Sequence, residues 1–285
     1  MPKERKSGLD PDLPQSDCTE SLDSLAVTTE LMHNGQSISN YPSSKYFFVP
    51  FPQAKGVPFN ADNLATVNGY SFSAEKEFVV AKEAADTRWA PSSRDISWRL
   101  HVFLWCAQSA LALNPSGSWV ELGTGKGYSA TAILTLIDFA PQIGRPKKFL
   151  LFDRFSTTYP NSNSLPESDG GEKLFYYTDD YLEVKEHFSQ WDFVEVVSGE
   201  LPGSLTKLKA ETLSFVHVDL NDSATEIDCL QLLSNVLCPG ALVLFDDSGN
   251  PGCQESLGRH KEWAKENGLA FLQLPTGQGS VQWRL

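Results

Sequence analysis

Residues 120–129 read Val-Glu-Leu-Gly-Thr-Gly-Lys-Gly-Tyr-Ser, and this segment indicates the fold most clearly. Its glycines, at positions 123, 125 and 127, follow the apolar run 119–122 and precede a helix-like stretch at 128–139. Glycine allows the sharp bend that joins a strand to a helix, and it lets a ligand lie against the backbone. The stretch therefore predicts the first strand–turn–helix unit of an α/β protein.

The rest of the chain repeats this alternation of short apolar runs with helix-like stretches. Such alternation predicts a doubly wound, mostly parallel seven-stranded sheet with helices on both faces, a Rossmann-like α/β fold. Only a turn separates the last two runs, so we expect them to form an antiparallel C-terminal hairpin at the sheet edge. A helix capped by Ser92-Ser93 and running to about residue 113 should precede the sheet. Strands are expected at 119–122, 149–152, 193–197, 213–218, 241–245, 270–272 and 281–283, and helices at 128–139, 179–189, 223–236 and 254–267.

The composition excludes several classes of protein. The 285 residues carry a formal net charge of −13, which disfavours a nucleic-acid binder because such proteins concentrate Lys and Arg on one face. No apolar run approaches the roughly 18 residues of a membrane helix, and the first residues lack the apolar core of a secretory signal. The five cysteines form an odd set without close pairs, which favours a reducing, cytoplasmic location over a disulfide framework.

The composition also divides the chain into three predicted regions. Residues 1–24 are poor in apolar side chains and are expected to form a disordered arm. Residues 25–91 form an N-terminal extension whose aromatic segment 46–52 is either packed across the core surface or serves as a lid or dimer contact. Residues 92–285 are expected to form the main domain. The long polar loop at 154–178 is of a kind that is often functional.

The glycine loop differs from the nucleotide-binding loops. Its Gly-x-Gly-x-Gly spacing is not the dinucleotide Gly-x-Gly-x-x-Gly, and no Lys-Ser or Lys-Thr pair ends it. Glu121, just ahead of the loop, would repel a pyrophosphate but suits a cation. Asp153 follows the second predicted strand, where a carboxylate can accept both hydroxyls of a ribose. A plain glycine-rich turn without a ligand is the alternative interpretation.

With these residues the sequence resembles the class I S-adenosylmethionine (SAM)-dependent methyltransferases over roughly residues 75–285. Their first motif is an acidic residue followed by Gly-x-Gly-x-Gly, and their second is an acidic residue that closes strand two. The resemblance implies that Asp153 holds the ribose of SAM and that Gly199 and Glu200 lie near the adenine. It implies that the methionine end is lined by Glu121, Gly123, Thr124, Gly125, Gly127, Tyr128 and Ser129.

Three aspartates follow two later strands. Asp219 ends the run 213–218, and Asp246 and Asp247 end the run 241–245. Because parallel strands deliver their C-terminal residues to one crevice, these carboxylates should converge. They would repel one another unless a cation such as Mg²⁺, or Mn²⁺ in its place, lay among them. The alternative is that each aspartate only caps the next loop or helix.

These aspartates also resemble those of the macrocin-type sugar O-methyltransferases, whose divalent metal would be bound here by Asp219, Asp246 and Asp247. That group often has a second aspartate two places after the first, thought to act as base, where this chain has Asn221. An asparagine cannot take a proton, so Asp222 and His217 are the nearest alternatives. His217 lies inside a predicted strand, which favours a hydrogen-bonded core histidine, and His260 is expected on a solvated helix face.

The resemblance implies metal-assisted O-methylation of a small hydroxylated acceptor, such as a sugar or a glycosylated metabolite. Asp219 and Asn221 are the candidate catalytic residues. Neither a nucleic acid nor a membrane is an expected partner. The sequence leaves the oligomeric state open, and a homo-oligomer is one of the states that it allows. The alternatives are a metal-independent O- or N-methyltransferase, a non-catalytic SAM-binding partner protein and, least favoured, a nicotinamide oxidoreductase.

Overall fold

A computed structural model describes the following residues: 32–33, 36–37, 59–66, 68–88, 95–156, 178, 180–208, 211–250 and 253–284. The predicted arm at 1–24, the aromatic segment 46–52 and most of the predicted loop at 154–178 lie outside these residues. The chain divides into two units, Met1–Ser43 and Ser44–Leu285. In the first unit, β1 (Met32–His33) and β2 (Gln36–Ser37) pair as antiparallel strands.

The second unit begins with elements that precede the main sheet. Antiparallel strands β3 (Phe59–Ala61) and β4 (Leu64–Thr66) form a hairpin, and they are followed by helices α1 (Lys76–Asp86) and α2 (Ser97–Leu113). The predicted start of α2 at Ser92-Ser93 is wrong. The helix begins after Asp95, whose Oδ1 accepts hydrogen bonds from the backbone N–H and the hydroxyl of Ser97, at 2.9 and 2.5 Å.

The seven-stranded α/β sheet confirms the predicted fold. Its strand order is β10-β11-β9-β8-β5-β6-β7, with β5 to β9 parallel and β10 and β11 antiparallel at one edge. The strands are β5 (Ser118–Leu122), β6 (Phe149–Asp153), β7 (Val194–Ser198), β8 (Leu213–Val218), β9 (Leu237–Phe245), β10 (Leu272–Gln273) and β11 (Gly279–Gln282). The helices between them are α3 (Tyr128–Phe139), α4 (Tyr181–Phe188), α5 (Ser223–Leu233) and α6 (Gln254–Glu266).

Both faces of the sheet are covered by helices. Residues of α1, α2, α3 and α4 pack in one apolar cluster, and residues of α5 and α6 pack in a second. Every residue of β5 and β8 is therefore buried, which explains why these strands read as continuous apolar runs rather than as alternating patterns. The C-terminal ends of β5, β6, β8 and β9 meet along one edge, and this edge carries the candidate site.

Two further predictions can be compared with the described residues. Among them no helix is long and apolar enough to cross a membrane. The four described cysteines, Cys106, Cys229, Cys238 and Cys253, are free thiols.

Candidate active site

The glycine loop joins β5 to α3 as predicted. Gly123, Gly125 and Gly127 have φ angles of +91°, +53° and +85°, a region that side chains with a Cβ rarely adopt. At Gly123 the space is also closed, because an added Cβ would lie 1.9 Å from the backbone oxygen of Asp219. The loop is thus pressed against the end of β8, so the glycine loop and the first of the three aspartates are in direct contact.

Asp153 ends β6 beside this loop. Its Oδ2 accepts a hydrogen bond from the backbone N–H of Gly125, and its Oδ1 accepts one from the N–H of Phe155, both at 2.7 Å. Burial raises the pKa of Asp153, and these backbone hydrogen bonds oppose the shift. The backbone oxygen of Asp153 accepts from the N–H of Gly199 at 3.0 Å, so the two predicted cofactor residues are neighbours. Glu200, the next residue, is exposed.

Glu121 lies beneath the glycine loop rather than on its surface. Its side chain is buried, and Oε1 is 2.9 Å from Nδ1 of His217. Burial raises the pKa of Glu121, whereas the hydrogen bond and charge of His217 lower it. Burial lowers the pKa of His217, but Asp246 and Glu121 outweigh it and raise the value to about 10. His217 is therefore the hydrogen-bonded core histidine that the sequence predicted, and in its charged form it pairs with Glu121.

The other predicted loop residues lie at the start of α3. Thr124 is buried, and its Oγ1 has no hydrogen-bond partner among the described residues. The hydroxyl of Tyr128 donates to Oδ1 of Asp86 at 3.0 Å. Burial and Asp86 both raise the pKa of Tyr128. Ser129 is half-buried in the first turn of the helix.

The structure brings Asp219, Asp246 and Asp247 together. One carboxylate oxygen of each lies within 4.8 Å of the others. Backbone hydrogen bonds set this register: Asp219 N–H donates to Leu122 O at 2.8 Å, and Asp246 N–H donates to Val218 O at 2.9 Å. Parallel pairing of β5, β8 and β9 thus carries the three carboxylates to one point.

Arg99 of α2 is the main residue that the sequence analysis missed. Its Nη1 donates to Asp246 Oδ2 at 2.7 Å and to Asp247 Oδ1 at 3.0 Å, and its Nε donates to Asp62 Oδ2 at 3.1 Å. Burial lowers the pKa of Arg99, but the charges of the three aspartates around it outweigh burial and raise the pKa above its ordinary value. Burial raises the pKa of Asp246, but Arg99 and His217 reverse the shift and hold it below its ordinary value. Arg99 is buried, and it forms an ion pair with the partly buried Asp246.

Three residues complete the surroundings of Arg99 and the aspartate pair. Nη2 of Arg99 donates to Asn250 Oδ1 at 3.2 Å, and the side-chain amide of Asn250 donates to Asp247 Oδ1. Nη2 also donates to the carbonyl of Thr276 at 3.4 Å. Gln278 Nε2 donates to Asp246 Oδ1 at 3.0 Å. The turn before β11 therefore supports the aspartate pair, a role beyond the hairpin turn that the sequence predicts.

Asp219 differs from the other two aspartates. Among the described residues its carboxylate has no hydrogen-bond donor and no ion-pair partner. Burial raises its pKa well above the ordinary value, and the charges of Asp246 and Asp247 raise it further. Five carboxylates face only two cationic side chains in this cluster: Asp62, Glu121, Asp219, Asp246 and Asp247 against Arg99 and His217. Three hard oxygen ligands with a surplus of negative charge fit Mg²⁺ or Mn²⁺.

Asn221 and Asp222 lie where the chain leaves β8. Asn221 has a φ angle of +58°, a left-handed conformation that asparagine tolerates better than most residues. Asp222 is the N-cap residue of α5, and its Oδ2 accepts from the hydroxyl of Thr225 at 2.5 Å. The carboxylate of Asp222 is therefore engaged by the hydroxyl of Thr225, which leaves it a poor candidate for a base.

Comparisons with known proteins agree with this geometry. Residues 120–248, from within β5 to just past the aspartate pair, match the family model described as "Methyltransferase domain". Over this stretch, which holds the glycine loop and the three aspartates, the chain is therefore similar to a methyltransferase domain. No curated protein matches the sequence.

The methyltransferase fold recurs in solved structures of low sequence identity. The O-methyltransferase NovP is 15% identical with a TM-score of 0.56, over 75% of this chain and 100% of NovP. The calicheamicin methyltransferase CalS11 is 14% identical with a TM-score of 0.52, over 76% of this chain and 98% of CalS11. The methyltransferase domain therefore shares its fold with these two enzymes.

Proposed function

We propose that this methyltransferase transfers the methyl group of SAM to a hydroxyl oxygen of a small hydroxylated molecule such as a sugar, with a divalent metal ion at Asp219, Asp246 and Asp247. The observation that carries the proposal is the contact between the two halves of the site. Gly123 of the glycine loop lies against the backbone of Asp219, whose carboxylate faces the aspartate pair. A donor site and a site for an activated oxygen would therefore be adjacent, as an in-line transfer requires.

The donor half would be held by the glycine loop and Asp153. Each oxygen of Asp153 receives one backbone N–H, and the carboxylate keeps further lone pairs that two ribose hydroxyls could use. The glycines let the methionine end lie against the backbone. The backbone N–H of Gly199 donates a hydrogen bond to the backbone oxygen of Asp153, and Gly199 would place the following residue, Glu200, near the adenine.

The metal half would be held by the three aspartates. A divalent cation there would supply a Lewis acid that lowers the pKa of an acceptor hydroxyl. Arg99 and Gln278 hold Asp246 in place, and Arg99 and Asn250 hold Asp247, so the ligands are fixed before anything binds. Asp219 is the one of the three that no described side chain holds by a hydrogen bond or an ion pair.

Names of the structural relatives support the acceptor class. NovP is described as an O-methyltransferase, and an apo structure of CalS11 is described as a TDP-rhamnose 3'-O-methyltransferase. We therefore propose a hydroxylated sugar or glycoside as acceptor. Asn221 would orient the acceptor through its side-chain amide, since it cannot take up a proton. Asp219, whose carboxylate no described side chain engages, is the candidate to receive that proton.

A second candidate function is metal-independent methyl transfer, and Arg99 favours it. Its guanidinium already contacts Asp246 and Asp247, the place where a cation would bind. In this alternative Arg99 alone would neutralise the pair, and the acceptor would be oriented without a metal.

The test is a transfer assay with SAM and a panel of sugar nucleotides and glycosides, followed by mass spectrometry for the gain of one methyl group. The proposed function predicts transfer that stops in EDTA and returns when Mg²⁺ is added. Transfer that continues in EDTA would establish the metal-independent candidate. If the protein binds SAM but methylates none of the hydroxylated acceptors, the proposed acceptor class is wrong.

A further inference from the structure

Three buried side chains form a hydrogen-bonded chain behind the aspartate pair. Oγ of Ser248 lies 2.8 Å from Nδ1 of His260, and Nε2 of His260 lies 2.7 Å from Oε2 of Glu226. Their exposed fractions are 0%, 2% and 4%. The expectation that His260 lies on a solvated helix face is therefore wrong.

The chemistry of Glu226 fixes the direction of one of these hydrogen bonds. A carboxylate at Glu226 only accepts, so Nε2 of His260 donates its N–H. Nδ1, the other ring nitrogen, shares the second hydrogen bond with the hydroxyl of Ser248. The order resembles that of a hydrolytic triad, but Ser248 is fully buried and cannot reach a substrate. The chain must act inside the protein.

His260 holds both ends of the aspartate pair. Its ring packs on Phe245, the last residue of β9, with 4.2 Å between ring centroids, and its Nδ1 bonds Ser248. Asp246 and Asp247 are the two residues between these contacts. One imidazole on α6, anchored by Glu226 on α5, thus brackets both predicted metal ligands.

The C-terminal hairpin packs closely against Ser248. A Cβ added at Gly279 would lie 2.8 Å from Ser248 Oγ and 2.3 Å from Cζ of Phe271. Next to Ser248, the N–H of Gly249 donates to Gly277 O at 2.6 Å. The hydroxyl therefore lies in a closed space and points to His260.

We propose that the Ser248–His260–Glu226 chain is a positioning device that fixes the backbone of Asp246 and Asp247 for metal binding. Its consequence for metal affinity rests on the proposed function, whereas its consequence for local order does not. Loss of hydrogen bonds behind the ligands of a metal typically lowers metal affinity about 10- to 100-fold.

The first test is hydrogen exchange of the wild type and of Ser248→Ala, read by mass spectrometry over peptides that cover residues 246–250. Ser280→Ala is the matched control, because Ser280 is also buried and its hydroxyl donates to β9 at Val243 O, 3.1 Å away, but it does not flank the pair. We expect exchange at 246–250 to quicken about tenfold in Ser248→Ala and to stay unchanged in Ser280→Ala. Unchanged exchange in Ser248→Ala would overturn the proposal.

The second test is calorimetry with Mg²⁺ and, separately, with S-adenosylhomocysteine (SAH). Ser248→Ala should bind Mg²⁺ about tenfold more weakly and SAH as the wild type does. Glu226→Gln, whose amide oxygen still accepts from His260, should keep wild-type Mg²⁺ affinity, and Glu226→Ala should not. Equal weakening of both ligands in Ser248→Ala would reduce the chain to a general structural role and overturn the proposal.

The two outcomes separate this inference from the proposed function. If the wild type binds no Mg²⁺ but Ser248→Ala still quickens exchange at 246–250, the positioning device stands and the metal of the proposed function is wrong. If the wild type binds Mg²⁺ and Ser248→Ala changes neither exchange nor affinity, the proposed function stands and the positioning device is wrong.

Discussion

Arg99 and Asp246 meet through two hydrogen bonds from one nitrogen: Nη1 donates to Oδ2 and to the backbone oxygen of Asp246, each at 2.7 Å. The pair joins helix α2 to the end of strand β9, 147 residues apart in sequence. Because Arg99 also binds Asp62 and Asp247, one guanidinium ties the β3–β4 hairpin and α2 to the candidate active site.

Replacing Arg99 with methionine should destabilise the fold strongly. The substitution leaves Asp62, Asp246 and Asp247 without their cation, and breaking a buried ion pair on one side costs about 3–5 kcal/mol. Urea unfolding would measure the loss. Arg145→Met is the matched control, since Arg145 pairs with Asp192 at the surface, where such pairs contribute less than about 1 kcal/mol. Equal losses in the two variants would contradict the importance assigned to Arg99.

Gly123→Ala should abolish binding of SAH. Its φ angle of +91° disfavours alanine, and the new Cβ would lie 1.9 Å from Asp219 O, so the loop and the end of β8 must separate. Calorimetry with SAH and the melting temperature would report both effects. Gly258→Ala is the control: nothing lies within 4 Å of its Cβ in helix α6, and it should stabilise the fold by up to about 1 kcal/mol. Normal SAH affinity in Gly123→Ala would show that the loop does not hold the donor.

Asp153→Ala should weaken SAH binding about 10- to 100-fold. A hydrogen bond to a charged group contributes about 1.5–3 kcal/mol, and the change also frees the N–H groups of Gly125 and Phe155. Asp138→Ala is the control, because Asp138 bonds only the Trp191 indole in the described part of the chain and follows no strand of the candidate site. Calorimetry would measure the affinity of each protein for SAH. Equal affinity in the wild type and Asp153→Ala would show that Asp153 does not help to bind the donor.

Asp219→Asn should make the protein more stable at neutral pH when EDTA is present. The pKa of Asp219 is raised in the folded state, so above the ordinary aspartate pKa the folded protein keeps a proton that the unfolded chain has lost. The free energy of unfolding therefore falls as pH rises through this window, up to the raised pKa of the folded state. Urea unfolding from about pH 4 upward should show that the free energy of unfolding falls less steeply with pH in Asp219→Asn than in the wild type. Parallel curves would contradict the raised pKa.

The sequence predicts the fold and the glycine loop because both depend on local signals. The glycines bend the chain at the end of β5, and aspartates close β6, β8 and β9, so the parallel order of the strands is enough to bring them together. The predicted start of α2 is wrong because the helix begins at Ser97, beyond the predicted serines, where Asp95 Oδ1 accepts from the N–H of Ser97.

The surroundings of the aspartates could not be predicted in the same way, because they depend on contacts between distant elements. Arg99, Asp62 and Gln278 come from a helix, a two-residue turn and the C-terminal hairpin. One signal was present for Arg99. It lies on the same helical stripe as Phe103, Cys106 and Ala110, all of which are buried, and an arginine on an apolar stripe needs a buried anion.

Metal binding by the three aspartates is measured by calorimetric titration of Mg²⁺ into the protein saturated with SAH, for the wild type and for Asp219→Asn. We expect both proteins to bind SAH, because the carboxylate of Asp219 is not among the groups proposed to hold SAM. We expect only the wild type to bind one equivalent of Mg²⁺. Binding of SAH without any Mg²⁺ heat in the wild type would contradict the metal site and leave Arg99 as the cation that serves the aspartate pair.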